Sequence, residues 1–205
     1  MKFSVLKSTS PYLNLAIEEY LLKHCDEEYF LLWQNEPTVV IGKNQNVFAE
    51  VNIKYAKELG INIARRITGG GAVYHDLGNL NFSYIADKKE EGIDFKKFTT
   101  PIIDALKKIG LSPELSGRND ILISGKKISG NAQTHFGNRV LHHGTLLYNS
   151  DANILSSVLN VDKEKLKAKA IASVKSRITN IKDYLNSDYS VFEFMQEMTR
   201  GGQVV

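Results

Sequence analysis

Residues 121–149, ILISGKKISGNAQTHFGNRVLHHGTLLYN, hold three β-prone segments divided by Gly125-Lys126 and Gly137-Asn138. Glycine-containing dipeptides between runs of strand formers are hairpin signals, so this stretch is constrained to an antiparallel meander. The rest of the chain must build around that sheet. YFLLWQ and TVVIG predict strands over 28–34 and 38–42, separated by a break at Pro37. INIARRI, AVYH and NLNFSYIA supply three more. In NLNFSYIA, Leu80, Phe82 and Tyr84 alternate with Asn79, Asn81 and Ser83, which gives one strand two faces of different chemistry.

Helical patterns flank these strands. Ser10-Pro11 places a cap residue before a proline suited to the first turn, and Leu13, Ala16, Ile17, Tyr20 and Leu21 follow at helical spacing, predicting a helix over 11–24. Asn52 caps a short helix ending at Gly60, and Phe95 to Ile109 is amphipathic and closed by Gly110. After Tyr148 the pattern turns helical through ANILSSVLN and KEKLKAKAI, and Ser190 with Glu193 three residues on forms a capping box. No internal repeat or linker divides the chain, and 205 residues at 42% hydrophobic suffice for a substantial core. The expected class is α+β, a mixed, mostly antiparallel sheet flanked by helices, in one domain over 1–205.

Charge and cysteine content exclude several functions. A balance of 26 basic against 23 acidic residues leaves +3, too small a surplus to mark a nucleic-acid partner. The lysines from Lys163 to Lys169 are interrupted by Glu164 and by apolar residues, as on a solvated helix face. MKFSVLKSTSPYLN alternates polar and apolar residues, and no apolar run approaches the roughly 18 residues of a membrane span, so a cytoplasmic protein with no membrane partner is expected. Cys25 is the sole cysteine, which rules out an intrachain disulfide or thiolate cluster; it reads as a small buried hydrophobe in the first helix.

The chemistry concentrates in three segments. RRITGGGAVYHDLGN, residues 65–79, sets three glycines beside two arginines, so that backbone amides can close on an anion while a guanidinium neutralises it. It lacks the GxxxxGK[ST] of a P-loop, and a strand rather than a helix follows, unlike a dinucleotide fingerprint. GRNDILISGKKISGNAQ places Lys127 near a hairpin turn with small residues after it, leaving room for a ligand whose carboxylate or phosphate oxygen the ammonium would meet. In LHHGT, His142 and His143 point to opposite faces of a strand, so at most one faces a site and the two share no metal. A packing or hydrogen-bonding role is the more common one for such histidines, His24, His75 and His135 included. No GxSxG elbow marks a nucleophile.

Taken in order, RRITGGGAVYHDLGN, GRNDI, KKISGNAQ, HHGTLL and SVKSRITN, with NLAIEEYLL and FLLWQNEPTVVIGKNQN before them, closely resemble the lipoate-protein ligase A family. The resemblance implies a biotin/lipoyl protein ligase catalytic domain, related to class II aminoacyl-tRNA synthetases. It implies a ligase that uses ATP and Mg2+ to convert lipoate to lipoyl-AMP, then transfers the acyl group to a lysine on lipoyl domains of 2-oxoacid dehydrogenase E2 subunits or the glycine cleavage H protein. By motif position, Arg66, Gly71, Ala72, Val73 and Tyr74 would bind nucleotide and adenylate. Lys127 would be the catalytic contact to carboxylate and α-phosphate, with His143, Gly144 and Thr145 near the adenylate. Trp33, Val40, Gly69, Gly70 and Val73 would line the lipoate tunnel, and Asp120 would meet the metal. Two alternatives share the fold: an octanoyl or lipoyl transferase working through a cysteine thioester, and a noncatalytic lipoate or adenylate binder. The transferases tend to show GGR where this chain has Gly69-Gly70-Gly71, and Cys25 sits in the wrong element. Family members extend further, so the end at Val205 is expected to reflect a shortened catalytic domain, with an accessory domain absent or on a separate chain.

Overall fold

The computed structural model describes residues 1–88, 92–117, 119–158 and 177–200. Its larger sheet has seven strands in the order β1 (Lys2–Val5), β2 (Tyr29–Trp33), β6 (Asn79–Asp87), β10 (Arg139–Leu147), β9 (Lys126–Phe136), β8 (Asp120–Ile123) and β7 (Pro113–Ser116). A smaller sheet has the order β4 (Asn62–Arg65), β3 (Thr38–Ile41) and β5 (Val73–His75). All neighbours are antiparallel except β1 with β2 and β3 with β4. The meander expected over 121–149 is β8-β9-β10, and the α+β architecture is the one the pattern predicts.

Helices cover both faces of the larger sheet. On one face Phe30, Leu32, Leu80, Phe82 and Tyr84 pack against α4 (Phe95–Lys108) and α6 (Val191–Thr199), through Phe98, Ile102, Leu106, Phe194 and Met198. On the other, α1 (Pro11–His24) sets Leu22 against Leu31, Trp33, Ile85 and Leu141. The smaller sheet has its own core of Val39, Ile41, Ile61 and Tyr74, closed by α3 (Ile53–Glu58), the four-residue α2 (Val47–Glu50) and α5 (Ala152–Val158). Caps set several boundaries: Asn52 Oδ1 accepts from Tyr55 N, Asp94 accepts from Lys97 N, and Ser190 with Glu193 completes the capping box.

The structure corrects four readings. The buried stripe of α1 is Pro11, Asn14, Glu18 and Leu22, whereas Leu13 is 50% and Tyr20 60% exposed. Polar residues occupy the inner stripe because each finds partners: Asn14 Nδ2 donates to Ser8 O, Gln34 O and Asn35 Oδ1. Ser10 makes no side-chain cap bond. Strands β2 and β3 fall in different sheets where a single mixed sheet is expected, and the glycine loop connects β4 to β5, the edge strands that flank β3. Cys25 lies just past α1 and is half-exposed, not a buried helical residue. KEKLKAKAI, with Lys163 to Lys169, lies outside the described residues. No helix among those described is long and apolar enough to cross a membrane.

Candidate active site

The gap between the two sheets is lined by residues that the β pleat turns inward. Parallel pairing of β4 with β3 ends at Ile41↔Arg65, which leaves Arg66 at the start of the glycine loop. Arg66 is buried, and its guanidinium holds the loop together: Nε donates to Thr68 Oγ1, Nη1 to Val40 O at 3.1 Å, and Nη2 to Gly69 O at 2.8 Å and Gly71 O at 2.7 Å. With Nε also 3.2 Å from Gly69 O, five carbonyl and hydroxyl contacts orient the group without neutralising it, so its positive charge remains in the site. Burial lowers its pKa to about 10, against the opposing pull of Glu18, so it stays a cation at neutral pH. Arg65 instead spends Nη1 on the carbonyls of Gly42, Lys43 and Gln45.

From Arg66 a chain of buried polar groups crosses to α1. Thr68 Oγ1 lies 2.8 Å from His143 Nε2, and His143 Nδ1 lies 2.9 Å from Glu18 Oε1. Ser83 Oγ donates to the same carboxylate and accepts from Trp33 Nε1 at 2.7 Å. Glu18 is 1% exposed, and a carboxylate so placed requires partners of this kind. His142 points the opposite way, among Phe82, Phe95 and Phe98, with Gln133 and Asn131 at 3.3 Å.

Lys127 opens β9. Its Nζ pairs with Asp120 Oδ1 at 2.8 Å, and its side chain passes over Gly130, where a Cβ would stand 2.8 Å from Nζ. Thr179 N donates to Lys127 O, so the RITN segment, residues 177–180, runs beside it. Asn119 and Asn131 clasp each other: Asn119 Nδ2 donates to Asn131 O, and Asn131 N and Nδ2 both donate to Asn119 O.

Two cavities meet at this lysine. The smaller, about 180 Å³, is walled by Leu15, Trp33, Val40, Arg66, Gly69, Gly70, Gly71, Ala72, Val73, Lys127, His143, Gly144 and Thr145, with His75, Asn81, Asn119 and Asn131. The larger, about 530 Å³, is bounded by Tyr74, Lys126, Asp151, Asn153, Thr179, Asn180 and Asp183. Ala72, Val73, Lys127, Gly130 and Thr145 belong to both. Of the residues picked out by motif, Tyr74 stands apart: it borders only the larger cavity and its ring fills the core of the smaller sheet, where burial raises its pKa to about 12. Asp120 lines neither cavity and reaches them through Lys127. Among the described residues no three of His, Cys, Asp and Glu converge as an ion cage; the carboxylates that border the larger cavity are those of Asp151 and Asp183. Cys25 borders neither cavity.

Sequence reasoning passed over Glu18, Thr68, Ser83, Asn81, Asn119 and Asn131. A signal existed for some of them. Asn14 and Glu18 stand four apart on one helical stripe, and the polar face of β6 is buried along its whole length apart from Asp87.

The profile of the lipoyl protein ligase A/B catalytic domain matches residues 10–202. The lipoate-protein ligase LplJ of Bacillus subtilis is 50% identical over 193 residues, covering 93% of this chain and 58% of that protein. The chain thus spans about three fifths of the length of the curated relatives it matches. A chain from the structural analysis of an archaeal lipoylation system, a bi-partite lipoate protein ligase and its E2 lipoyl domain from Thermoplasma acidophilum, superposes with a TM-score of 0.87 at 32% identity, over 98% of this chain and 81% of that one. A lipoate-protein ligase A solved bound with ATP superposes with a TM-score of 0.78 at 29% identity, over 98% and 81%.

Proposed function

We propose, since this chain belongs to the lipoyl protein ligase A/B catalytic-domain family, that it activates lipoate with ATP and transfers the acyl group to a lysine of a lipoyl domain. One observation supports this reading above the others: a small cavity walled by Trp33, Val40, Val73 and the glycine loop, and a larger one bordered by Lys126, Asn153, Thr179 and Asn180, share a boundary at Lys127. A lipoyl tail suits the first and a nucleotide the second, and their reacting ends then meet at Lys127, the one cation among the described residues common to both walls. Arg66 is already held by loop carbonyls. Its task is to fix the glycine loop and add field, while Lys127 leaves Asp120 to contact carboxylate and α-phosphate together.

In the first step a lipoate oxygen attacks the α-phosphorus of ATP, a P–O bond forms, and pyrophosphate leaves. In the second the acceptor lysine's amine attacks the acyl carbon, the C–O bond to AMP breaks, and the amine's proton passes to solvent. Lys127 offsets the repulsion between two anions in step one and stabilises departing AMP in step two. Magnesium, held by phosphates and Asp120, would neutralise charge on the nucleotide. Acceptors of the E2 type, and the glycine cleavage H protein, fit a lysine presented at the mouth of the boundary.

Incubation with ATP, magnesium, lipoate and an apo lipoyl domain, followed by intact-mass measurement, tests the proposal. A mass gain of one lipoyl group that requires ATP is expected. Gain only from an acylated carrier would point to a transferase, and retained ligand without transfer to a binder. Lys127→Ala should suppress lipoate-dependent pyrophosphate release by at least about 100-fold, the scale on which oxyanion contacts act; near-normal release would remove its assigned role.

A further inference from the structure

Two polar atoms in the wall of the smaller cavity have no hydrogen-bond partner among the described residues: His75 Nε2 and Asn81 Nδ2. Both side chains are buried, His75 at 4% and Asn81 at 1% exposure. Their chemistry follows from their other contacts. Asn35 Nδ2 lies 3.1 Å from His75 Nδ1, and an amide nitrogen only donates, so the ring accepts at Nδ1 and carries its hydrogen on Nε2. Burial, with His143 and Arg66 nearby, keeps the ring neutral by holding its pKa at about 3. Asn81 Oδ1 accepts from Asn79 Nδ2 at 2.9 Å, which leaves both hydrogens of Nδ2 unmatched. Both orphaned atoms are therefore donors, and buried donors without acceptors are rare enough to require a reason.

Their position names the acceptor. Asn81 sits directly across from Trp33 on β2 and from Thr145 on β10. His75 follows Val73 by two residues and so shares its face of β5. Val73 and Thr145 form part of the boundary between the two cavities. The donors thus stand just inside the small cavity, next to the place where a chain seated there would present its carboxyl end to Lys127.

We propose that His75 Nε2–H and Asn81 Nδ2–H bind one oxygen of the acyl substrate's carboxyl group, fixing the plane of that group while Lys127 addresses the other oxygen and the phosphate. The assignment rests on the ligase reading and adds to it a pair of neutral donors that orient without adding charge. A water held by the same two donors is the competing occupant. The two differ in one respect: a water-binding pair has no reason to distinguish an acyl oxygen from none.

The test measures binding to the full chain of lipoate and of its analogue in which a methyl group replaces the carboxyl group, so that no oxygen is left to accept. In the wild type, His75→Phe and Asn81→Ala, calorimetry reads affinity, and melting temperature with AMP binding reports the fold. Each substitution should weaken lipoate about tenfold, equivalent to about 1.4 kcal/mol, and leave the methyl analogue within about twofold. The carbonyl stretch of bound lipoyl-adenylate labelled at its carboxyl carbon should rise in frequency in each variant as a hydrogen bond is lost. Lipoate and methyl analogue weakened equally, or neither weakened with the carbonyl band unmoved, would overturn the assignment in favour of water. Two positions on separate strands are used so that loss of fold at one leaves the other decisive. A wild type that neither binds lipoate nor releases pyrophosphate in its presence would bring down the ligase reading and this assignment together; a wild type that does both, with indifferent variants, brings down only the second.

Discussion

Gly42 adopts no positive φ, yet a Cβ built there would lie 2.0 Å from the carbonyl oxygen of Gly70 and within 3.3 Å of Gly69 C. Its role is close approach: the end of β3 runs against the glycine loop, and backbone has no rotamer by which to move aside. Gly144 works the same way on the far wall, where a Cβ would stand 2.2 Å from Asn131 Oδ1 and 2.5 Å from Phe82 Cζ. Gly42→Ala should therefore displace the loop that Arg66 organises, costing about 1–3 kcal/mol in urea unfolding, as overpacking does. Because Gly69, Gly70 and Gly71 form part of the cavity wall, lipoate affinity should fall with it. A variant of wild-type stability and affinity would show that the loop yields freely.

At the level of elements, α1 shows what periodicity reveals and what it conceals. The boundaries of the helix were legible, Pro11 to His24, and so were the β8-β9-β10 meander, the Asn52 cap and the capping box at Ser190. Each of these signals is local. The face of α1 was not legible, because an apolar stripe marks the core only where the core is apolar; here the facing surface is the polar network of Ser83, His143 and Asn35, and Asn14 and Glu18 turn toward it. The same rule hid Asn81 and the Asn119–Asn131 clasp. Lys127, Arg66 and the glycines stood out because their residue types are costly to explain otherwise. Strands β1 and β7 escaped notice, being four-residue edge strands whose register depends on neighbours remote in sequence. The helix makes this measurable. Asn14→Ala removes three donor contacts to buried acceptors and should cost about 1–3 kcal/mol, whereas Leu13→Ala, on the outer face, should stay within about 0.5 kcal/mol. Equal losses in urea melts at the two positions would return the buried face to the apolar stripe.

The molecule as a whole keeps an imidazole neutral on each side of its larger sheet. His142 is enclosed on the α4 side by three phenylalanine rings, and burial, with His143 adding to it, holds its pKa at about 3. His75, on the site side, is held at about 3 for the same first reason. Unfolding returns each ring to a pKa near 6.5. Between those values the unfolded chain binds a proton that the folded chain refuses, so stability rises with pH across the window and is lost as pH falls. Above about pH 6.5 neither ring is charged in either state and the dependence disappears. Below it, each histidine approaches a slope of about 1.4 kcal/mol per pH unit, and the pair together removes about 3 kcal/mol between pH 6.5 and 5. Against a total of about 5–15 kcal/mol for a domain, that loss dominates mild-acid behaviour. Surface carboxylates such as Asp188 and Glu193, lowered by Lys182 and by Ser190 respectively, add their loss only at lower pH. Urea unfolding at pH 7.5, 6 and 5 should show a plateau and then a steep decline, and His142→Gln, though less stable at pH 7.5, should decline at roughly half the slope. A flat profile from pH 7.5 to 5 would mean that both rings take up protons in the folded state, and a slope unchanged by His142→Gln would place the whole effect on the site side, at His75.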